Sequence, residues 1–109
     1  MKKRNALPVK LEIRASEDLD AIFKFISEKS PQNAVHVVNN LIDLADSLGE
    51  FPEKFVSLES ISKNTNRNYR TVSKWSFKIV FEVTDNAVWI MQIFNNSKHP
   101  DKLIRRLKF

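Results

Sequence analysis

Alternating apolar and polar residues from 77 to 83 are followed by an almost wholly apolar run from Ala87 to Phe94. The alternation is typical of a strand with one better-buried face, and the apolar run is typical of a central strand covered on both faces. Asp85 and Asn86 lie between them and tolerate positive φ, which predicts a β-hairpin with a two-residue type I′ turn. The resulting register pairs Val83 with Val88, Phe81 with Ile90, Ile79 with Gln92, and Phe77 with Phe94.

The other face of this hairpin combines polar, aromatic and aliphatic side chains. Such a mixed surface is unusual for a face that is simply buried, so it is the first candidate for a functional surface. Its predicted members are Lys78, Val80, Glu82, Trp89, Met91 and Ile93.

The first half of the chain has helical periodicity after one short strand. Residues 8–14 alternate and predict that strand. Ser16 is expected to cap the first helix, with Glu17, Asp18 and Asp20 in its first turn near the positive end of the helix dipole. Apolar residues then recur at helical spacing at Leu19, Ile22, Phe23 and Ile26.

A second helix is predicted from Ser30 as N-cap and Pro31 in the first helical position to about Leu48, with Gly49 as a left-handed C-cap. Its apolar stripe is Ala34, Val38, Leu41, Ile42, Ala45 and Leu48. The short link between the helices predicts an antiparallel helical hairpin.

Shorter strands are predicted at residues 55–58 and 69–75, ahead of the central hairpin. Residues 101–109 are compatible with a terminal helical turn or a tail. The sequence therefore predicts one α+β domain spanning residues 1–109, with the element order β-α-α-β-β-β.

Composition removes several classes of function. The 109 residues include no cysteine, two histidines (His36 and His99) far apart in the sequence, and the single glycine Gly49. These counts argue against a disulfide framework, a metal centre, and the Gly-rich loops that bind nucleotide phosphates, so no cofactor is expected. No apolar run approaches the length of a membrane span, and no signal segment follows Met1, which predicts a cytoplasmic protein without a membrane partner.

Charge is unevenly distributed. The net charge is +5, but residues 1–50 sum to −1 and residues 51–109 to +6, and no acid occurs from residue 60 to 81. A polyanionic partner is the hypothesis that this pattern suggests, with a solvated basic face as the alternative. Trp75 and Trp89 are compatible with base stacking or with ordinary sheet packing. The basic candidates in the acid-free stretch are Arg67, Arg70, Lys74 and Lys78.

The order of these segments resembles the RelE/ParE superfamily of bacterial toxins from type II toxin–antitoxin systems. The resemblance covers nearly the whole chain: ASEDLDAIFKFISEKSPQNA on the first helical segment, FP after the second, YR ahead of the hairpin, and YRTVSKWSFKIVFEV leading into VWIMQIFNNSKHP. It implies an antiparallel sheet that carries a helical hairpin on one face. It also implies a co-expressed antitoxin as partner and a role in growth inhibition and plasmid stabilisation.

Two activities occur in that superfamily, which are RelE-like cleavage of mRNA on the ribosome and ParE-like poisoning of DNA gyrase. Many relatives carry His at the end of the last strand, where this chain has Asn95, with Lys98 in place of Arg and His99 off the pattern. Asn95, Lys98 and His99 are the candidates for catalysis, but an amide side chain takes no proton at neutral pH.

A ParE-like gyrase inhibitor is therefore the expected function. The alternatives are a RelE-like endonuclease and, after it, a non-catalytic nucleic-acid-binding module or an inactive toxin. Whether the protein is an enzyme stays open at this point. The expected target- or nucleic-acid-binding residues are Arg67, Arg70, Lys74, Lys78, Trp89, Lys98, Arg105 and Arg106.

Overall fold

The computed structural model describes residues 6–58 and 66–95 of the chain. The order of helices and strands confirms the α+β fold that the sequence predicts. The elements are β1 (Val9–Leu11), α1 (Ile13–Ser27), α2 (Pro31–Ser47), a 3₁₀ turn (Pro52–Lys54), β2 (Val56–Ser57), β3 (Asn68–Lys74), β4 (Phe77–Val83) and β5 (Val88–Asn95). The predicted C-terminal helical turn lies outside the described residues.

The five strands form one sheet in the order β1-β5-β4-β3-β2. Strands β2 to β5 pair antiparallel, as expected, but β1 pairs with β5 in parallel, so the sheet is mixed. A parallel pair needs a long crossover, and here the rest of the chain, including both helices, lies between the two strands. None of the helices in the described part is long and apolar enough to cross a membrane.

The first helix begins earlier than the sequence predicts. β1 ends at Leu11 and α1 begins at Ile13, with Glu12 in the N-cap position and no side-chain cap. Ser16 is therefore not the cap: its N–H already donates to the Glu12 carbonyl at 3.1 Å. A local capping signal is weaker than the tertiary constraint, since the Glu12 N–H is held by the Ile90 carbonyl on β5 at 2.9 Å.

The second helix begins as predicted but ends differently. The Ser30 hydroxyl accepts a hydrogen bond from the Asn33 N–H at 3.2 Å, and Pro31 opens the helix. Gly49 does not have positive φ, so the predicted left-handed cap is wrong. Glycine is needed there because a Cβ atom would lie against the Leu7 carbonyl oxygen. The Leu7 N–H donates to the Gly49 carbonyl at 2.9 Å, which ties the chain before β1 to the end of α2.

The β4–β5 hairpin follows the predicted register only near its turn. Val83 pairs with Val88 and Phe81 with Ile90, as expected. A bulge at Met91 then shifts the register by one residue, so that Ile79 faces Ile93 and Phe77 faces Asn95. The turn lies at Asp85-Asn86, but neither residue has positive φ, so it is not type I′. The Thr84 hydroxyl closes it instead, accepting the Ala87 N–H at 3.1 Å.

The bulge divides the side chains of β5 between two clusters. Ile93 moves to the main core between the sheet and the helices, so its predicted place on the mixed surface is wrong. The opposite side of the sheet, which we call the open face, carries the smaller cluster of Val80 and Phe94 packed with Leu58 and Met91. The main core combines buried residues of both helices with those of β4 and β5, among them Leu19, Leu41, Leu48, Ile79, Phe81, Val88 and Ile90.

Candidate target-binding surface

Four side chains form a row across the open face. Strand register places Lys10 beside Trp89, Trp89 opposite Glu82, and Glu82 opposite Tyr69. Tyr69 is fully buried and Glu82 nearly so, whereas Trp89 is half-buried. The Lys10 ammonium lies 5.6 Å from the centre of the Trp89 ring, a cation–π contact that covers one side of this predicted binding residue.

Arg67 joins this row from the segment before β3. Its Nε donates to Glu82 Oε2 at 2.9 Å and its Nη2 to Glu82 Oε1 at 3.3 Å, and its guanidinium lies 5.6 Å from the centre of the Tyr69 ring. The hydrogen bond to Glu82 raises the pKa of Arg67. Since about half of the Arg67 side chain is exposed, its outer edge can still meet an anion, but the charge is already matched by Glu82.

Burial raises the pKa of the Tyr69 hydroxyl above its ordinary value, and the Glu82 carboxylate acts in the same direction. Arg67 opposes both effects. The phenol is consequently protonated at neutral pH and cannot serve as a general base there.

Arg70 lies within β3, and its side chain reaches the 3₁₀ turn. Its Nη1 donates to the carbonyls of Glu53 at 3.0 Å and Phe55 at 2.6 Å, while its Nε donates to the Asn68 side chain at 3.1 Å. These are charge-assisted hydrogen bonds to backbone carbonyls within and just after a short helix. Arg70 therefore fixes the segment that leads into β2. This structural role is separate from the target-binding role that the sequence predicts for Arg70.

Lys74 and Trp75 lie at the tip of the β3–β4 hairpin. Trp75 has φ of 54°, which is uncommon for a bulky residue, and its side chain is 56% exposed. The Lys74 ammonium lies 4.9 Å from the centre of the Trp75 ring. The centre of the His36 ring, on α2, lies 6.0 Å from the centre of the same Trp75 ring. The tip thus presents an exposed aromatic ring with a cation and an imidazole beside it.

A cleft of about 400 Å³ opens at the β2 side of the sheet. It forms because β3 has seven residues while β2 pairs only with Arg70 and Thr71, so that β3 extends beyond its neighbour. Phe55 packs edge-on against Phe81 at 5.9 Å in the core below it. The cleft is lined by Lys54, Phe55, Val56, Thr71, Val72, Ser73 and Lys78.

Residues 9–100 match the family model described as the ParE toxin of type II toxin-antitoxin system, parDE. The chain belongs to the ParE toxin family. A solved structure described as the chromosomal ParDE TA system from P. aeruginosa has the same fold, with a TM-score of 0.65 at 21% identity over 83% of this chain and 96% of that chain. A comparison with curated proteins gave no match. The protein is a type II toxin of the ParE kind, and its family implies a protein antitoxin as partner.

In this ParE-family toxin, the predicted site residues fall into three groups. Arg67 and Trp89 lie on the open face, Lys74 lies at the hairpin tip and Lys78 lines the cleft, whereas Arg70 holds the 3₁₀ turn. Asn95 is the last residue of β5, opposite Phe77, and is half-buried. The remaining predicted residues, Lys98, His99, Arg105 and Arg106, lie outside the described part of the chain.

Sequence reasoning missed the second lysine and both hydroxyls of the cleft. Lys54 follows a proline turn and is isolated from the other basic residues in the sequence, and Thr71 and Ser73 look like ordinary strand residues. The two-residue spacing of Thr71 and Ser73 was the sequence signal for this part of the cleft, because residues two apart on a strand lie on the same face. Within residues 6–58 and 66–95, no group of His, Cys, Asp and Glu could hold a metal ion.

Proposed function

We propose that this ParE-family toxin arrests growth by binding DNA gyrase and that it does not cleave mRNA. The observation that carries the proposal is the pairing of the titratable groups on the open face. Both Glu82 oxygens accept hydrogen bonds from Arg67, and Tyr69 is buried beside them with its pKa raised. These groups are arranged for mutual stabilisation and are poorly placed to exchange protons with a substrate.

Metal-free RNA cleavage requires a group that removes the proton of the 2′-hydroxyl and another that stabilises the developing negative charge. General acid–base groups typically contribute about 10²–10⁴-fold in rate. Asn95, at the end of β5, has no titratable group. His36, the imidazole within the described residues, lies on α2 beside Trp75. Lysines on this toxin can stabilise charge, but charge stabilisation alone leaves the proton transfer without a catalyst.

A gyrase inhibitor needs a binding surface of suitable charge and shape. Lys74 and Lys78 supply positive charge at the tip and flank of the β3–β4 hairpin, and Trp75 adds a large exposed ring of the kind that often dominates protein interfaces. The sequence-predicted residues Lys98, Arg105 and Arg106 would add to this charge. Positive surface of this kind speeds association with acidic partners.

We further propose that the antitoxin binds this toxin through exposed apolar side chains on the helical layer. Phe25 of α1 is 64% exposed, and Val35 and Ile42 of α2 are 48% and 39% exposed. Val35 and Ile42 are seven residues apart and therefore lie on one side of the helix. Co-expression with a cognate antitoxin should yield a stable complex, and an absence of complex after co-expression would contradict this pairing.

The test of mechanism compares two assays on the purified toxin. We expect inhibition of gyrase supercoiling with accumulation of cleaved DNA, and intact mRNA on programmed ribosomes. Codon-specific mRNA cleavage with unaffected supercoiling would show that the gyrase proposal is wrong.

A matched pair of charge reversals tests the surface. Lys74→Glu with Lys78→Glu should weaken gyrase inhibition, while Lys24→Glu with Lys29→Glu, which makes the same change of charge at the end of α1, should leave it unchanged. Equal effects of the two variants would indicate that only net charge matters. Thermal unfolding of each variant shows that it is folded before its activity is compared.

A further inference from the structure

We propose that the cleft between β2 and the β3–β4 hairpin binds an acidic side chain, with an apolar neighbour, on an extended segment of the toxin's protein target. The inference rests on the proposed function for the identity of that partner. The cleft itself was not anticipated from the sequence, and its chemistry is set by residues that the charge pattern did not single out, chiefly Lys54, Thr71 and Ser73.

The cleft is built to receive negative charge. Lys54 and Lys78 both line it, and its lining among residues 6–58 and 66–95 includes no acidic side chain. The ion pair between Arg67 and Glu82 lies on the row beyond Thr71 and uses neither lysine. The hydroxyls of Thr71 and Ser73 add two donors on the same strand. Two ammonium groups and two hydroxyls can together satisfy both oxygens of one carboxylate.

The walls of the cleft favour a peptide over a phosphodiester backbone. Phe55, Val56 and Val72 line it beside the lysines, and Val56 is 71% exposed. A nucleic-acid strand would place a charged phosphate at every step and would leave these apolar walls poorly matched. A peptide that alternates acidic and apolar side chains in an extended conformation matches both parts, and sheet edges are common sites for extended peptides.

The wall of the cleft is held in place before any partner binds. Arg70 fixes the carbonyls of Glu53 and Phe55, on either side of Lys54. The Phe55 ring is packed against Phe81, and the Lys54 ammonium lies 5.2 Å from the centre of the Phe55 ring. A preformed wall of this kind reduces the ordering cost of binding. Arg70 is thus a positioning residue for the cleft.

The target is the occupant that the charge distribution favours. Lys78 belongs both to the cleft and to the acid-free basic stretch from which the proposed target surface is drawn. The exposed apolar residues of α1 and α2, assigned above to the antitoxin, lie on the helical layer and not at this sheet edge. The two partners would then bind different parts of the toxin.

A peptide titration tests the chemistry of the cleft without gyrase. Acetyl-Leu-Glu-Leu-amide is titrated into the ¹⁵N-labelled full-length toxin, with acetyl-Leu-Gln-Leu-amide and inorganic phosphate as comparisons. We expect the acidic peptide to shift the amide signals of Thr71, Ser73 and Lys78 and the glutamine peptide to shift them far less. Phosphate binding as tight as that of the acidic peptide, or no shift with the acidic peptide, would overturn the proposal.

Paired variants connect the cleft to the target. Lys54→Ala with Lys78→Ala should lower the affinity for the acidic peptide by about tenfold, the effect of losing two exposed ion pairs. The same variant should weaken gyrase inhibition in parallel. Lys24→Ala with Lys29→Ala is the charge-matched control. Loss of antitoxin affinity in the cleft variant, with gyrase inhibition intact, would overturn the assignment to the target. If the wild type leaves supercoiling intact, the proposed function is wrong, and the peptide titration alone then decides whether the cleft binds an acidic segment.

Discussion

The side-chain carboxylate of Asp18 on α1 accepts a hydrogen bond from the backbone N–H of Ile93 on β5, with Asp18 Oδ2 at 2.9 Å from the Ile93 nitrogen. The bond joins residues 75 positions apart and lies just after the bulge at Met91, where the strand pairing is interrupted. A bulge leaves backbone groups without their ladder partner, and an unsatisfied buried N–H is costly. Asp18 therefore satisfies a backbone N–H of β5 close to the bulge and ties α1 to this strand.

Replacing Asp18 should destabilise the protein through this bond. Asp18→Ala is expected to lower the free energy of unfolding by about 2 kcal/mol, the effect of losing a charged hydrogen-bond partner. Asp18→Asn retains an acceptor oxygen and should cost less. The measurement is urea unfolding, with Asp20→Ala at an exposed position of the same helix as control. Equal losses for Asp18→Ala and Asp20→Ala would show that the bond to Ile93 contributes nothing.

Arg70 provides a second test, because its sequence-predicted and structural roles lead to different expectations. Arg70→Ala removes the donor to the Glu53 and Phe55 carbonyls and should lower the free energy of unfolding by about 2 kcal/mol. Arg70→Lys should recover only part of this, since an ammonium cannot reproduce the planar fork of donors. Thermal unfolding measures the change. A variant that is as stable as the wild type but loses gyrase inhibition would support a purely target-binding role.

Local sequence patterns predict the elements of this fold well and their mutual contacts poorly. The strand at β4 and the Ser30-Pro31 signal at the start of α2 depend on neighbours in the chain, and both predictions are confirmed. The predicted single better-buried face of β4 is wrong, because its residues 79–83 are buried on both faces. The Met91 bulge has no signal in the local pattern, so the predicted hairpin register fails beyond Phe81, and the bond from Ile93 beside it goes to Asp18, which is distant in sequence. The same holds for the candidate surface. Its basic residues can be predicted from the sequence, but the hydrogen-bond partners of Arg67 and Arg70 are set by tertiary packing.

Gly49 illustrates this difference between local and tertiary causes. The sequence suggests a helix cap, whereas the structure requires glycine for the close approach of the Leu7 carbonyl. Gly49→Ala should therefore displace Leu7 and weaken its hydrogen bond to the Gly49 carbonyl, at a cost of about 2 kcal/mol or more. Glu50→Ala, at the exposed neighbouring position, is the control in thermal unfolding. If Gly49 acted as a left-handed helix cap, alanine would lower the stability only because Gly49 had positive φ. Gly49 does not have positive φ.

Tyr69 allows a direct test of the electrostatics on the open face, because it is the single tyrosine of the chain. Its pKa is raised by burial, so the folded state retains the phenolic proton after an unfolded chain would release it. Stability from this group is thus fully present below the ordinary tyrosine pKa near 10 and is lost as the pH rises through the folded value.

Absorbance of tyrosinate against pH should therefore show one transition above the ordinary value. Glu82→Gln removes a charge that raises the Tyr69 pKa, so the transition should move downward, whereas loss of Arg67 in Arg67→Gln should move it upward. A transition at the ordinary value in the folded wild type would mean that Tyr69 is not buried as described. Circular dichroism at each pH separates titration of the native protein from alkaline unfolding.

The backbone at Trp75 gives the last prediction. A bulky residue at φ of 54° is strained, by about 1–2 kcal/mol relative to a residue in an ordinary conformation, and glycine removes most of that strain. Trp75→Gly and Trp75→Ala both lose the ring contacts with Lys74 and His36, but only the alanine variant keeps the strain. We therefore expect Trp75→Gly to be more stable than Trp75→Ala by about 1 kcal/mol in urea unfolding.

The same two variants separate stability from target binding at the hairpin tip. If the exposed Trp75 ring contacts gyrase, both variants should lose inhibition to the same extent even though their stabilities differ, because both lack the ring. If gyrase inhibition instead falls in proportion to stability, with the glycine variant close to the wild type, the Trp75 ring does not contact gyrase. An alanine variant at least as stable as the glycine variant would contradict the positive φ at this position.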